Sequence, residues 1–189
     1  LFPYTTLFRS AQSLERYSFT QPHLGTIVEL TIYAPDEGVA NDAARAAFAR
    51  VKELDLVFSD YKADSETMRL CETAGSGQAR SVSAELFDCL TRAVDISSRS
   101  DGAFDVTVGP EVRLWRRARK EKRLPNLAEL SAAKEKVGWK MVELNDVART
   151  VRLQRSGMQL DFGGIAKGYI AQDVSRLLRD RGLTRTLVA

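Results

Sequence analysis

Residues 160–169 read Leu-Asp-Phe-Gly-Gly-Ile-Ala-Lys-Gly-Tyr, a carboxylate, a glycine pair and a lysine in one short run. Adjacent glycines let a backbone approach a ligand closely and adopt conformations closed to other residues. The apolar spacing of 169–181 predicts a helix, with Gly182 as its stop. The first turn of such a helix carries unpaired N–H groups and a partial positive charge, a seat suited to phosphate. Lys167 adds a mobile cation there. Asp161, at the end of a short apolar stretch, can accept a hydrogen bond from a ligand N–H or O–H, or stand near a hard cation. The same pattern also describes an ordinary strand-to-helix turn with a solvated lysine, and spacing alone leaves both readings open. It is neither a Walker loop, since no Gly-Lys-Ser/Thr triplet occurs, nor a Gly-x-Gly-x-x-Gly turn.

Two further segments carry chemistry-bearing residues. Gly102-Ala103-Phe104-Asp105 puts an aromatic ring and a carboxylate beside a glycine, an arrangement able to stack on a flat heterocycle and hydrogen-bond to it; equally, it reads as a turn entering a core strand. Phe58-Ser59-Asp60-Tyr61 puts a tyrosine just past a helix end, as a ring platform or a lid on the core.

The elements that must position these residues follow from periodicity. Strands are expected at 25–34, 104–108 and 158–162, with a hairpin over 141–153 turning at Asn145-Asp146. In the first of them, Val28, Leu30 and Ile32 alternate with Ile27, Glu29, Thr31 and Tyr33. A helix is expected over 39–57, with Ala47, Val51, Leu54 and Phe58 on one stripe. Ser83 can cap a second helix with Leu86, Leu90, Ala93 and Val94 inward. Asn126 and Glu129 make a capping-box pattern. Residues 59–81 read as a polar connection, and the basic run 113–123 as a solvated loop or helix face, or a surface for an acidic partner or a membrane. The expected class is α+β.

Composition removes several alternatives. With 44% hydrophobic and 28% charged residues among 189, a packed core is expected. No stretch of about 18 apolar residues exists, so no transmembrane helix is expected. Cys71 and Cys89 have no Cys-x-x-Cys spacing and His23 is the single histidine, too few ligands for a structural zinc site. A Cys-His or Ser-His pair would need His23, which this reading places ahead of the first strand; both cysteines are expected to be apolar fillers. A net charge of +3, without aromatics interleaved in the basic run beyond Trp115, argues against nucleic acid as a partner.

In combination the segments resemble the ApbE family of FAD:protein FMN transferases. Leu24-Gly25-Thr26 is similar to its opening Met-Gly-Thr, and Tyr61 followed by Asp64-Ser65-Glu66 to its Tyr…Asp-Ser-Glu segment. Residues 102–110 with Leu114-Trp115, and 161–169, resemble its two long signature blocks. The resemblance implies a T-fold-related α+β body, largely antiparallel in its sheet, with flanking helices. It implies that Leu24, Tyr61, Ala103, Phe104, Asp105, Asp161 and Lys167 contact FAD, that Asp161 and Lys167 serve the chemistry, and that the Gly164 carbonyl is one ligand of a magnesium ion. The implied reaction is attack by a threonine hydroxyl of an acceptor flavoprotein on the FMN phosphorus of FAD, releasing AMP; the alternative is an FAD-binding protein or magnesium-dependent FAD pyrophosphatase without acceptor transfer.

The resemblance further implies a bacterial cell-envelope protein on the periplasmic side of the inner membrane, with membrane anchoring through an N-terminal lipobox. Leu24 departs from the family's methionine, Gln172 stands where an aspartate is common, and the basic run 113–123 is unlike the family's usual Leu-Trp-Gly continuation. Residues 1–10 match a translated sequencing adapter and are expected to be an assembly scar. Residues 11–189 are expected to be the N-terminal part of one such domain, incomplete at its C-terminus, lacking further magnesium ligands and inactive as given.

Overall fold

The computed structural model describes residues 13–189, and the expected adapter-derived segment 1–10 lies outside the described residues. Contacts divide the chain into two compact units. The first comprises residues up to Arg50 together with Asp173–Ala189, and the second is Val51–Gln172.

In the first unit, β1 (Glu15–His23) and β2 (Thr26–Ala34) form an antiparallel hairpin in which Glu15 faces Ala34 and His23 faces Thr26. Its two-residue turn, Leu24-Gly25, has positive φ at both positions (54° and 69°), the geometry whose twist matches the flanking strands. β6 (Thr186–Val188) pairs antiparallel on the other side of β2, so β2 is central. The alternation expected there holds: Val28, Leu30 and Ile32 are buried while Ile27 and Glu29 face out. β1 escapes sequence reading because only Tyr17, Phe19 and His23 are even half-buried, too weak a pattern to show a period. His23 therefore ends a strand instead of preceding one; its Nε2 lies 3.1 Å from Gln21 Oε1 and its ring stacks on Phe48.

α1 (Glu37–Phe58) buries the whole expected stripe of Ala47, Val51, Leu54 and Phe58. In the second unit, residues 59–81 contain α2 (Glu66–Cys71) and the short β3 (Arg80–Ser81) within what reads as a polar connection. Ser65 is fully buried, accepts from Met68 N–H as the cap of α2, and donates to the Ser59 carbonyl at 2.6 Å. Glu66 binds both the backbone N–H and the hydroxyl of Ser83, each at 2.6 Å. Ser83 in turn caps α3 (Ala84–Arg99), whose Leu86, Leu90 and Ala93 are buried. The Asp-Ser-Glu segment thus acts as a clasp between two helix starts.

α4 (Gly109–Lys120) carries most of the basic run, and α5 (Leu127–Lys134) opens with the full Asn126–Glu129 capping box. β4 (Val142–Asn145) and β5 (Thr150–Leu153) form the expected hairpin, and β3 joins to give the order β3-β5-β4, antiparallel throughout. α6 (Ala166–Asp180) follows the glycine pair. The fold is therefore α+β, with two small antiparallel sheets and flanking helices.

Segments 104–108 and 158–162 are not sheet strands. They meet through a single parallel bridge, Val108 to Gln159, and one hydrogen bond from Asp161 N–H to the Val106 carbonyl (2.8 Å). The first segment is wrapped instead of extended because Asp105 Oδ1 accepts from the Thr107 N–H and hydroxyl (2.8 and 2.6 Å), a local side-chain bond that competes with a strand ladder.

Candidate functional site

The two segments just described bring the Gly102 block and the Gly163 block side by side within the second unit. Gly109 is buried, and a Cβ there would lie 2.6 Å from the Gln159 carbonyl oxygen, so the close approach requires glycine. A Cβ on Gly164 would lie 3.0 Å from Phe104 Cε2: the Phe104 ring rests against the glycine pair. Beneath, Phe162 is buried and packs against Phe58, which meets Tyr169 edge-on at 5.3 Å. This aromatic floor fixes the turn from below while Gly163 and Gly164 remain exposed above.

At the turn, the Phe162 carbonyl accepts from Ile165 and Ala166 N–H (2.9 and 2.8 Å), starting α6. Asp161 Oδ1 accepts from Gly163 N–H at 2.8 Å, which bends the glycine pair around the carboxylate. Lys167 is exposed in the first turn of α6 and pairs with no acidic side chain among the described residues. Of the anion-accepting arrangement that the sequence allowed, the exposed glycine turn and the cation are present, while the Gly163, Ile165 and Ala166 N–H groups are taken within the turn.

A residue outside the expected site completes its edge. Arg116 of α4 donates to Asp60 Oδ2, reaches Asp161 Oδ2 at 3.5 Å, and lies over the Tyr61 ring with its guanidinium carbon 4.2 Å from the centroid. Burial works against the Arg116 charge, yet the Asp60 hydrogen bond and the charges of Asp60 and Asp161 prevail, so the guanidinium holds its proton more tightly than usual. Tyr61 is 75% exposed, leaving its ring broadly open to solvent. In the sequence Arg116 is indistinguishable from the other basic residues of the run 113–123, because its partners Asp60, Tyr61 and Asp161 lie tens of residues away.

Asp105 is placed differently. Besides holding Thr107, its Oδ2 accepts from Trp139 N–H (3.0 Å), while Thr107 Oγ1 accepts from Gly138 N–H (2.7 Å). The pair staples residues 138–139 to the Phe104 loop, and Thr107 is fully buried. Ala103 is exposed beside this staple. Leu24 lies in the hairpin turn of the first unit, half-buried and in a left-handed conformation that costs a leucine on the order of 1 kcal/mol. Structure thus brings Tyr61, Phe104, Asp105, Asp161, Gly164 and Lys167 into one unit, with Ala103 at its rim.

The remaining residues carry less chemistry. Both cysteines are buried, and burial pushes their thiols up, Cys89 to about 12, so neither is an ionised nucleophile near neutrality. In the basic run, Arg117 and Arg123 pair with Glu129, and α4 buries Leu114 and Ala118. A helix face is therefore what the run forms. No described helix is long and apolar enough to cross a membrane.

Comparison with known proteins places this geometry. The model of the ApbE family matches residues 24–189. The chain is 31% identical over 172 residues to the FAD:protein FMN transferase of Klebsiella pneumoniae (strain 342), covering 91% of this chain and 53% of that protein. It is 31% identical over 189 residues to the FAD:protein FMN transferase of Salmonella typhimurium, covering 98% of this chain and 52% of that protein. Among solved structures, the apo flavinyl transferase ApbE of Pseudomonas stutzeri superposes with a TM-score of 0.82 at 25% identity, covering 93% of this chain and 56% of that one. The flavin transferase ApbE of Vibrio cholerae does so with a TM-score of 0.82 at 23% identity, covering 93% and 57%, a likeness of fold. The chain spans about half the length of the curated relatives it matches.

Proposed function

The chain belongs to the ApbE family, and from that membership we propose that the protein transfers the FMN moiety of FAD to an acceptor protein. Supporting the reading is one observation above the others: the exposed Gly163-Gly164 turn, with Lys167 at a helix start and the Phe104 ring against it, is assembled from two segments far apart in sequence. In this reading the FAD diphosphate lies at the exposed glycine turn, beside Lys167. Phe104 and Tyr61 offer ring faces to the flavin or adenine. Asp161 holds the turn through Gly163 and presents its second oxygen to the ligand side. Asp105 contributes by stapling the Phe104 loop.

The reaction forms a bond from a threonine oxygen of the acceptor to the FMN phosphorus and breaks the phosphorus–oxygen bond to AMP. The hydroxyl proton passes to solvent, and AMP departs with the bridging oxygen. Positioning and charge stabilisation carry most of such a step. Magnesium, when bound, would neutralise charge on the diphosphate. The described residues fit it only as a partial site. The exposed Gly164 offers its carbonyl, but no group of three His, Cys, Asp or Glu side chains stands together among the described residues, and one carbonyl holds a hard cation weakly. No step is therefore derived through the metal. On family grounds the same reading includes a cell-envelope location.

The test is incubation of the intact protein with FAD, with and without Mg²⁺, and a threonine-bearing acceptor domain. The acceptor should gain the mass of FMN while AMP appears in equal amount. Release of AMP and FMN without acceptor gain would replace transfer by hydrolysis, and absence of both would end the proposal.

A further inference from the structure

Arg116 stands at the centre of the site's charge. Its guanidinium touches Asp60, approaches Asp161 at 3.5 Å and covers one face of Tyr61. Asp60 and Asp161 are 15% and 10% exposed in their side chains, whereas the Arg116 side chain is 38% exposed, so the cation is the outward member of the cluster. Two carboxylates at the edge of a site for a dianionic diphosphate would repel it; one cation between them halves that charge.

A guanidinium has five N–H donors in a rigid fork. Here one is committed to Asp60, and the approach to Asp161 is at the long limit of a hydrogen bond, which leaves donors available. Stacking on Tyr61 holds the plane of the fork in place, and planar forks suit bidentate contact with phosphate oxygens.

We infer that Arg116 is a binding residue for the diphosphate of the dinucleotide, and that preference for FAD over uncharged flavin runs through its guanidinium. The inference rests on the flavin reading of the same site. It is tested with the intact protein by titrating FAD, ADP and riboflavin into the wild type, Arg116→Gln and Arg116→Lys, with thermal melts of each.

The wild type should bind FAD more tightly than riboflavin. Arg116→Gln should lose about tenfold or more in affinity for FAD and ADP and less than about twofold for riboflavin. Arg116→Lys, which retains the charge and the Asp60 partner, should recover part of the loss, and so reports even if the glutamine variant folds poorly. Equal losses for riboflavin and FAD would overturn the inference in favour of a platform role through Tyr61. Unchanged FAD affinity in both variants would overturn it outright. Failure of the wild type to bind FAD at all would instead overturn the flavin reading, and the inference with it.

Discussion

Asp105 and Asp161 are aspartates of adjoining segments, each followed by a tight turn, and their surroundings differ in kind. Asp105 spends both oxygens on donors of the fold itself: Thr107 N–H and hydroxyl on one, Trp139 N–H on the other. Asp161 commits one oxygen to Gly163 N–H and leaves the other facing a partly exposed arginine. A carboxylate saturated by donors of the fold is a structural staple, whereas one balanced by a partly exposed cation beside exposed glycines keeps capacity for a ligand. Residue type and neighbouring glycines are alike in the two places; the donors that reach each carboxylate separate them.

The contrast breaks most visibly under truncation. Asp105→Ala leaves Thr107 and Trp139 donors without an acceptor and should cost about 4 kcal/mol in urea unfolding, at roughly 1–3 kcal/mol per abandoned buried group. Asp161→Ala should cost about 1 kcal/mol or less in the same experiment and lower FAD affinity about tenfold. Comparable destabilisation by both would erase the distinction drawn between staple and ligand group.

Glycine substitutions sharpen it at smaller amplitude. Gly109→Ala drives a Cβ to within 2.6 Å of a backbone oxygen and should cost about 2 kcal/mol in thermal or urea melts. Gly164→Ala meets only the Phe104 ring edge at 3.0 Å; about 1 kcal/mol is expected, with a larger proportional loss in FAD titration. Lys167→Ala should leave stability within about 0.5 kcal/mol, as at other exposed positions. Its FAD affinity should fall several-fold, more at low than at high salt.

A third carboxylate, outside both segments, sets the lower bound. Arg123, followed by the Asn126 N–H, holds the Glu129 carboxyl down to about 2. Its folded value is depressed, so its stabilisation of α5 is complete above the ordinary carboxylate range and is lost as pH falls toward 2. The carboxylate is half-buried at the surface, so the expected signal is small: lower amide protection factors in the first turn of α5 on acidification, abolished in Glu129→Gln. Unchanged protection factors between pH 5 and pH 2 would show that the cap contributes nothing.

Local features were legible. Ser83 and Asn126 are caps because a short polar side chain reaches an N–H two or three residues ahead, a distance set by the chain alone. The buried stripe of α1 and the alternation of β2 follow from period. β1 was not legible because nearly all of it is exposed, and α2 was not because six residues are too few to display a helical stripe. The strand expected at 104–108 fails for a definite reason: β-propensity was outweighed by the bonds of Asp105 and Thr107 to each other and to residues 138 and 139, which no local window contains.

By itself the amino-acid order determined the backbone vocabulary of the site, namely two glycine-rich segments, a helix start with a lysine, and rings on either side, because these depend on near neighbours. Tertiary structure alone decided which aspartate is consumed by the fold, that Gly164 faces Phe104, and that Arg116 joins Asp60, Tyr61 and Asp161. Those outcomes depend on side chains meeting across tens of residues. Their energies come from donors, charges and close contacts that exist only once the segments have packed together.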